Sequence, residues 1–266
     1  MNEHSTIALS IIIVNYNGKH FLKDCLESIA EKCRFSYEII MVDNRSEDGS
    51  QDFIKSQFPE VILIENEENY GFAKGNNIGA AHAIGENLLL LNNDVILLDE
   101  LDPIMNKIKD KEVGVIGVQM LDKDQNYSKS AGKFPRLKEL IFFSTLFLSD
   151  EGFATGSFTK EMIQVDWVQG SFMLVKREDY FKVNGLDESY FMYVEDVDFC
   201  KKISELGKKN FFFSEISYIH FGGFNPSRQP LLIEGFKIYV AKHFKGFKNV
   251  ATFILSLKKI ILKLVK

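Results

Sequence analysis

The chain has few cysteines and few prolines. Its 266 residues include 3 Cys, 5 Pro and 18 Gly. The cysteines, Cys25, Cys33 and Cys200, are odd in number and form neither a CxxC pair nor a zinc-ligand spacing. The sequence therefore indicates neither a disulfide framework nor a structural zinc site, and it favours a reducing, cytoplasmic setting. The small Pro and Gly counts also exclude a collagen-like or low-complexity chain.

Long hydrophobic runs are absent too. No segment of the sequence reaches the ~18 uncharged apolar residues that a membrane-spanning helix needs. The first apolar run has no basic region before it and no small-residue cleavage site after it, so we expect no signal peptide. Hydrophobic residues nevertheless make up 45% of the chain and charged residues 26%. This composition is typical of a compact globular protein, and the length suits one large domain with an appendage.

The formal net charge of −5 conceals an asymmetry. Residues 235–266 carry eight lysines and no acidic residue, which leaves 24 basic and 37 acidic residues in the remainder. An acidic body repels phosphates, so we expect no nucleic-acid partner. In the tail the lysines alternate with Phe, Ile, Leu and Val, which favours an amphipathic helix on an anionic membrane surface. A helix packed on the domain, with its lysines solvated, is the alternative.

Apolar, β-branched runs alternate with stretches of helical periodicity through the first hundred residues. Strands are predicted at 9–14, 38–43, 61–65 and 87–97, with helices at 21–29, 46–58 and 74–84 between them. Later strands are predicted at 113–121, 167–176 and 211–220, with a helix from Glu195 to Gly207. Residues 122–165 receive no assignment. The alternation predicts an α/β fold with a mostly parallel central sheet and helices on both faces.

Polar residues follow three of the predicted strands. Asn15 and Asn17 follow the first, Asp43 ends the second, and Asn92, Asn93 and Asp94 end the apolar run of the fourth. The carboxyl ends of parallel strands meet at one edge, where ligands bind, so we expect one shared site; such residues also commonly begin turns. NYNGKHF follows the first strand, which excludes the dinucleotide and P-loop motifs. An acidic site for a phosphate ligand then indicates a divalent metal.

An ordered set of segments resembles the inverting family 2 glycosyltransferases of the GT-A fold, especially the branch containing bacterial rhamnosyltransferases. The matching segments are SIIIVNYN, EIIMVDNRSEDGS, NYGFAKGNNIGA, LLLLNNDV, VQGSFMLVKREDYFKVNGLDESYFMYVEDVDFCKKISELG and IHFGG. The resemblance implies a GT-A domain over 1–234, with a nucleotide-sugar half at 1–100 and an acceptor half at 101–234. The basic segment 235–266 follows it.

The resemblance also implies a reaction. A sugar, with rhamnose as the first expectation, would move from a nucleotide-diphosphate sugar to a lipid-linked or polysaccharide acceptor. The enzyme would work in cell-surface glycan synthesis as a peripheral protein on the inner face of the membrane. A sugar-phosphate nucleotidyltransferase and a non-catalytic nucleotide-sugar-binding protein are the alternatives.

The nucleotide site follows from the same resemblance. Asp43 would accept hydrogen bonds from the base, while Asn15 and Asn17 would line the base and ribose pocket. Asn76 and Asn77 occupy the place where relatives often have Arg-Asn beside the nucleotide.

The metal site is implied by the segment Asn92-Asn93-Asp94, which stands where many relatives have Asp-x-Asp. Asp94 would bind Mg²⁺ or Mn²⁺, His220 would complete the metal site, and Asn93 would lie beside the nucleotide. Asn92 replaces the first carboxylate, which predicts weaker metal affinity. On residue type alone, a core histidine is the commoner role for His220.

The acidic pair Glu195-Asp196 matches the pair that precedes the family's acceptor-side helix, in which the second carboxylate is the general base. One positioned carboxylate is sufficient to deprotonate an acceptor hydroxyl. Acids at the start of a helix also stabilise its dipole, which is the alternative role. Asp198 would be a cap or an orienting partner, and Trp167 either an acceptor platform or a core residue.

Overall fold

The computed structural model describes residues 7–222 and 226–264. The strands are β1 (Leu9–Asn15), β2 (Tyr37–Asp43), β3 (Ile62–Glu65), β4 (Asn87–Asn92), β5 (Val95–Leu97), β6 (Val113–Leu121), β7 (Tyr127–Ser128), β8 (Ala131–Gly132), β9 (Met162–Val165), β10 (Trp167–Val168), β11 (Phe172–Lys176) and β12 (Lys209–His220). The helices are α1 (Lys19–Lys32), α2 (Ser50–Gln57), α3 (Gly71–His82), α4 (Asp102–Lys107), α5 (Leu137–Ile141), α6 (Glu151–Thr155), α7 (Arg177–Lys182), α8 (Glu195–Glu205), α9 (Gln229–His243) and α10 (Lys248–Leu264). Short 3₁₀ turns lie at Phe143–Leu146 and Pro226–Arg228.

The main sheet has the strand order β3-β2-β1-β4-β11-β6-β12-β5. Strands β3, β2, β1 and β4 are parallel, whereas β11 is antiparallel to both β4 and β6. Strand β12 returns parallel to β6, and β5 closes the edge antiparallel to β12. The predicted α/β class with a mostly parallel sheet is confirmed.

Hydrophobic cores fill both faces of this sheet. Successive side chains of a strand point to opposite faces, so Ile11 and Ile13 enter one core and Ile12 enters the other. The first core also takes Leu22 and Leu26 from α1, in agreement with the helical spacing of that segment. Helices α3, α8 and α9 cover the second core. Strands buried on both faces account for the continuous apolar runs in the sequence.

Two predicted strands are each divided in the structure. The predicted strand 87–97 breaks at Asn93 and Asp94, because β4 joins the parallel region while β5 pairs antiparallel with β12. The predicted strand 167–176 breaks at Gly170 between β10 and β11. Both breaks form turns at the same sheet edge. The unassigned segment 122–165 contains β7, β8, α5, α6 and β9.

The C-terminal segment consists of two helices with different surroundings. The predicted boundary between 234 and 235 falls inside α9, whose Phe236, Tyr239 and Val240 are buried in the larger core. Helix α10 buries Ala251 and Leu255 and leaves its other side in solvent. Within residues 7–222 and 226–264, no helix combines the length and hydropathy required to cross a bilayer.

Candidate active site

Asn15 and Asp43 lie opposite each other at the ends of β1 and β2. The Asn15 Nδ2 donates to Asp43 Oδ2 at 2.8 Å. Asp43 Oδ1 accepts hydrogen bonds from the Ser46 main-chain N–H at 2.7 Å and from Gln51 Nε2 at 2.8 Å. Both Asn15 and Asp43 are fully buried. The Asp43 carboxylate therefore already has three protein donors, and it holds the loop after β2 in shape.

Asn17 connects the first loop to the second. Its backbone is left-handed, with φ of 53°, and its Oδ1 accepts a hydrogen bond from the Glu47 N–H at 2.8 Å. Its own N–H donates to Ser46 Oγ at 2.8 Å. The exposed residue Tyr16 lies between it and Asn15. The loops after β1 and β2 thus form one continuous surface.

Asn76 and Asn77 of α3 have different environments. Asn76 is buried, and its Oδ1 has no hydrogen-bond partner. Asn77 uses its whole amide within the protein: Nδ2 donates to the Leu186 carbonyl and to Glu188, while Oδ1 accepts from Tyr180 and from the Leu186 N–H. Asn77 therefore joins α3 to the segment after α7.

The turn between β4 and β5 brings Asn92, Asn93 and Asp94 to the sheet edge. Asn93 Nδ2 donates to Asn15 Oδ1 at 2.7 Å, which links this turn to the Asn15–Asp43 pair. Pairing of β5 with β12 sets His220 opposite Val95. As a result, His220 Nε2 lies 3.2 Å from Asp94 Oδ1 and 3.1 Å from Asn92 Nδ2.

Asp94 is in the ionised form that a metal ion requires. Burial alone would raise the pKa of this carboxyl, but the His220 imidazole and nearby main-chain N–H groups, that of Gly222 among them, lower it below the usual value. A side chain at Gly222 would collide with Asp94 Oδ2. The backbone after β12 therefore packs directly against the carboxylate.

The donor set fits a hard divalent cation. Asp94 offers a carboxylate whose Oδ1 lies beside the imidazole nitrogen Nε2 of His220, and Asn92 brings an amide next to that nitrogen. No cluster of three His, Cys, Asp or Glu side chains suited to a metal occurs in the part of the chain that the structure describes. Such a protein site leaves coordination positions for diphosphate oxygens, as Mg²⁺ and Mn²⁺ sites with phosphate ligands usually do.

Glu195 and Asp196 begin α8 after two strained residues. Tyr193 and Val194 are both left-handed, with φ of 74° and 75°. Such a conformation costs roughly 1–3 kcal/mol per non-glycine residue, and for a β-branched valine it is an outlier. Strain of this kind persists only where the surrounding structure enforces it.

The Asp196 carboxylate is held by two main-chain donors. Its Oδ2 accepts the Gly170 N–H at 3.0 Å, and its Oδ1 accepts the Val197 N–H at 2.8 Å. Burial raises the pKa of Asp196, while these two donors oppose the rise. Burial also raises the pKa of Glu195, to about 8, with the charge of Asp196 adding to the effect, and Glu195 Oε2 has no hydrogen-bond partner. Both carboxyls of the pair therefore bind a proton more readily than an exposed acid does.

Asp198 faces away from this pair. Its fully buried carboxylate accepts Lys242 Nζ at 2.6 Å and lies 2.7 Å from His243 Nε2, so it ties α8 to α9. Hydrogen bonds with His243 and Lys242 hold its pKa below the usual value despite its burial. Trp167 is a core residue whose indole N–H donates to the Lys133 carbonyl at 2.9 Å.

The loop before β11 connects the general-base candidate Asp196 to the turn between β4 and β5. The Asn92 N–H donates to the Ser171 carbonyl at 3.1 Å, and the neighbouring Gly170 N–H holds Asp196. In the sequence, Ser46 is assigned only to the start of the helix predicted at 46–58, and Gly170 and Gly222 are not singled out. All three lie inside the segments that resemble the family or directly beside them.

These elements define a sugar-transferring enzyme on a GT-A scaffold. The family model "Glycosyl transferase family 2" matches residues 10–172, and the chain belongs to that family. It is a nucleotide-sugar-dependent glycosyltransferase, as predicted, and the predicted family and fold are confirmed. The nucleotidyltransferase and non-catalytic alternatives are thereby set aside.

Curated relatives and solved structures agree with this assignment. "Rhamnosyltransferase WbbL" of Escherichia coli (strain K12) is 30% identical over 222 residues, which cover 79% of this chain and 82% of the relative. "N-acetylglucosaminyl-diphospho-decaprenol L-rhamnosyltransferase" of Mycobacterium tuberculosis (strain CDC 1551 / Oshkosh) is 24% identical over 245 residues, which cover 85% of this chain and 80% of the relative. The mannosyltransferase PcManGT from Pyrobaculum calidifontis, solved with GDP-Man and Mn²⁺, superposes with a TM-score of 0.63 at 19% identity, covering 92% of this chain and 69% of that one. The last likeness shows the fold alone.

Proposed function

We propose that this enzyme transfers a sugar, with rhamnose the first candidate, from a nucleotide-diphosphate sugar to a lipid-linked acceptor, with inversion at the anomeric carbon. Two relatives named as rhamnosyltransferases support the choice of sugar, and one of them is named for a diphospho-decaprenol acceptor. One observation carries the proposal. The Asp196 carboxylate is fixed at 3.0 Å by the Gly170 N–H, next to Ser171, whose carbonyl binds the N–H of Asn92 in the candidate metal site.

The chemistry needs one base. Asp196 accepts the proton of the acceptor hydroxyl while that oxygen forms a bond to the anomeric carbon. The bond from that carbon to the diphosphate oxygen breaks, and the nucleoside diphosphate leaves with the electron pair. Because attack and departure occur on opposite sides, the configuration inverts. Burial raises the pKa of the neighbouring Glu195, which favours its protonated form and lessens the negative charge beside Asp196.

The donor side is supplied by the loops after β1, β2 and β4. In this proposal Asp43 accepts hydrogen bonds from the nucleotide base. Asn15 and Asn17 line the pocket for the nucleotide base and the ribose, and Asn76 lies beside the nucleotide. The buried, partnerless Asn76 Oδ1 supports a polar contact there. Asp94 and His220 would hold Mg²⁺ or Mn²⁺, which neutralises charge on the leaving diphosphate.

We place the enzyme on the inner membrane face, in contact through α10. The helix exposes an apolar stripe of five side chains: Val250, Phe253, Leu257, Ile260 and Ile261. Several lysines predicted to face lipid are engaged within the protein. Lys259 binds Glu234 at 2.6 Å, Lys258 lies 4.4 Å from the Phe143 ring centre, and Lys242 binds Asp198. Apolar insertion therefore contributes more of the attraction than the lysine count predicted.

A donor screen tests the proposed reaction. Purified enzyme with Mn²⁺ is incubated with uridine-, guanosine- and deoxythymidine-linked sugars and a polyprenyl-diphosphate N-acetylglucosamine acceptor, and nucleoside diphosphate release is measured. We expect release with deoxythymidine-linked rhamnose that requires the acceptor, and an anomerically inverted product. Turnover with another donor would replace rhamnose, whereas a retained configuration would reject the single-displacement mechanism.

A further inference from the structure

The segment that leads into Glu195 and Asp196 is enclosed by two glycines. We call residues 191–194 the catalytic turn. On one side, α3 begins at Gly71, where a side chain would collide with the Phe191 carbonyl oxygen. The Phe72 N–H donates to that same oxygen at 2.9 Å. Helix α3 thus binds the first residue of the catalytic turn, Phe191, through a main-chain hydrogen bond.

On the other side, α9 presents Gly235. A Cβ atom built there would lie 2.6 Å from the Tyr193 carbonyl oxygen and 3.0 Å from Val194 Cγ2. Real Cβ atoms essentially never approach a heavy atom within 3.0 Å, and the atom in the way at Tyr193 belongs to the backbone. The neighbouring Phe236 is buried and stacks on Phe143, with ring centres 5.0 Å apart. Helix α9 is therefore pressed against the two left-handed residues.

The same helix also holds the far side of α8. Lys242 and His243 reach the Asp198 carboxylate, two residues beyond Asp196. Helix α9 thus contacts the chain both before and after the candidate base. An exposed turn at this place would relax from two unfavourable φ angles, because no glycine is present in it.

We propose that Gly235 is a positioning residue of the transfer reaction. By letting α9 approach the catalytic turn, Gly235 keeps Tyr193 and Val194 left-handed and aims Asp196 at the acceptor hydroxyl. Gly235 touches neither substrate. The proposal rests on the proposed function of Asp196 and extends it to a helix outside the resembling segments.

The test is Gly235→Ala, compared with Gly207→Ala as the control. Alanine in a helix interior normally stabilises it, so a loss of activity here has to come from the contact with the turn. Gly207 lies two residues after α8 and has a left-handed backbone, with φ of 82°. A side chain at Gly207 would meet nothing within 4 Å. The control therefore introduces backbone strain without touching the catalytic turn.

We expect Gly235→Ala to lower kcat on the order of 10²-fold, as a misplacement of about 1 Å does, while KM for the donor changes less than about two-fold. Hydrogen–deuterium exchange of the amides at 193–198 should become faster in Gly235→Ala and stay unchanged in Gly207→Ala. Unchanged exchange, or faster exchange with full turnover, would overturn the proposal. If Gly235→Ala does not fold, Phe236→Leu decides, since it loosens the ring packing that holds α9 on the core next to Gly235: full turnover in that variant also overturns the proposal.

Failure of the proposed function gives a different result. A wild-type enzyme inactive with every donor would reject the transfer reaction. The exchange difference between Gly235→Ala and Gly207→Ala would still report whether α9 holds the turn.

Discussion

The main-chain N–H of Gly170 donates to Asp196 Oδ2 across 3.0 Å, from the loop before β11 to the start of α8. A main-chain donor cannot rotate away, so this bond fixes one carboxylate oxygen, which keeps a lone pair for a further hydrogen bond. The position of the carboxylate is therefore set by the sheet, since Gly170 precedes the strand that pairs with β4.

Asp196→Asn should abolish transfer while donor binding stays nearly intact. The amide cannot accept the hydroxyl proton as a base, and loss of a general base lowers turnover on the order of 10²–10⁴-fold. Steady-state kinetics and calorimetric titration with nucleoside diphosphate measure the two effects. Glu205→Gln, near the exposed end of the same helix, is the control. Near-wild-type turnover in Asp196→Asn would move the base to Glu195.

Asp94→Ala should remove the metal-dependent part of diphosphate binding. Gly222→Ala should weaken the same part, because its side chain would collide with the carboxylate without removing a ligand. Titration with and without Mn²⁺ compares both variants with wild type. Ser214→Ala, on β12 but on the far side of the pairing with β5, serves as the control. Equal metal dependence in wild type and Asp94→Ala would contradict the metal assignment.

Asp43→Ala should weaken nucleotide binding with or without metal, and it should also destabilise the fold. Removing the carboxylate leaves the buried donors of Asn15, Ser46 and Gln51 without their acceptor. Leaving a buried polar group unsatisfied costs roughly 1–3 kcal/mol. Denaturant unfolding measures this loss, with the exposed Asp52→Ala as a comparison. A variant as stable as wild type would show that the loop repacks.

Glu195→Gln should change how stability depends on pH. The pKa of Glu195 is raised in the folded state, so the stability it contributes is present at acidic pH and is lost as pH rises through that raised pKa. The glutamine variant has no proton to lose. The Tm of Glu195→Gln minus the Tm of wild type should therefore increase as pH rises from about 5 to about 9, a range above the usual carboxyl pKa. Parallel Tm curves would show that Glu195 titrates normally.

Replacing Phe253 and Ile260 with serine should reduce sedimentation with anionic vesicles by about ten-fold or more. Both side chains are exposed, so the fold should keep its Tm. Added salt should weaken the binding of wild type to vesicles only in part. Lysines that are paired with acidic residues of the protein contribute little to the electrostatic attraction that salt screens. Asn249→Ser on the same helix is the control. Unchanged sedimentation of the double variant would assign the contact to another surface.

The juxtaposition of Asn15 and Asp43 can be predicted from the sequence, because it depends on local patterns. Apolar runs that end in Asn15 and Asp43 identify buried parallel strands, and parallel strands bring their carboxyl ends together. The pairing of Asp94 with His220 is different, since it requires the antiparallel register of β5 on β12. Periodicity within a segment contains no information about which distant strand will be its neighbour.

Two further features lie beyond local patterns. Left-handed Tyr193 and Val194 run against the preferences of their residue types, and the helices packed against their turn, α3 and α9, are distant in sequence. The lysines of the tail are predicted from sequence to face anionic lipid or solvent, yet Lys242 and Lys259 bind acidic partners on α8 and α9. Residue type gives the charge of a side chain, while tertiary contacts decide whether that charge is free.

Strand β11 runs against its neighbours, and this reversal has a consequence for how the chain folds during synthesis. Strand β4 receives its second neighbour only when 172–176 has been made, and β5 waits for 218–220. Closing loops of this length costs entropy before any contact rewards it. We therefore expect β4 and β5 to lack these neighbouring strands on the ribosome until β11 and β12 have emerged. A nascent chain stalled near residue 100 should be protease-sensitive, whereas one stalled beyond α9 should be resistant.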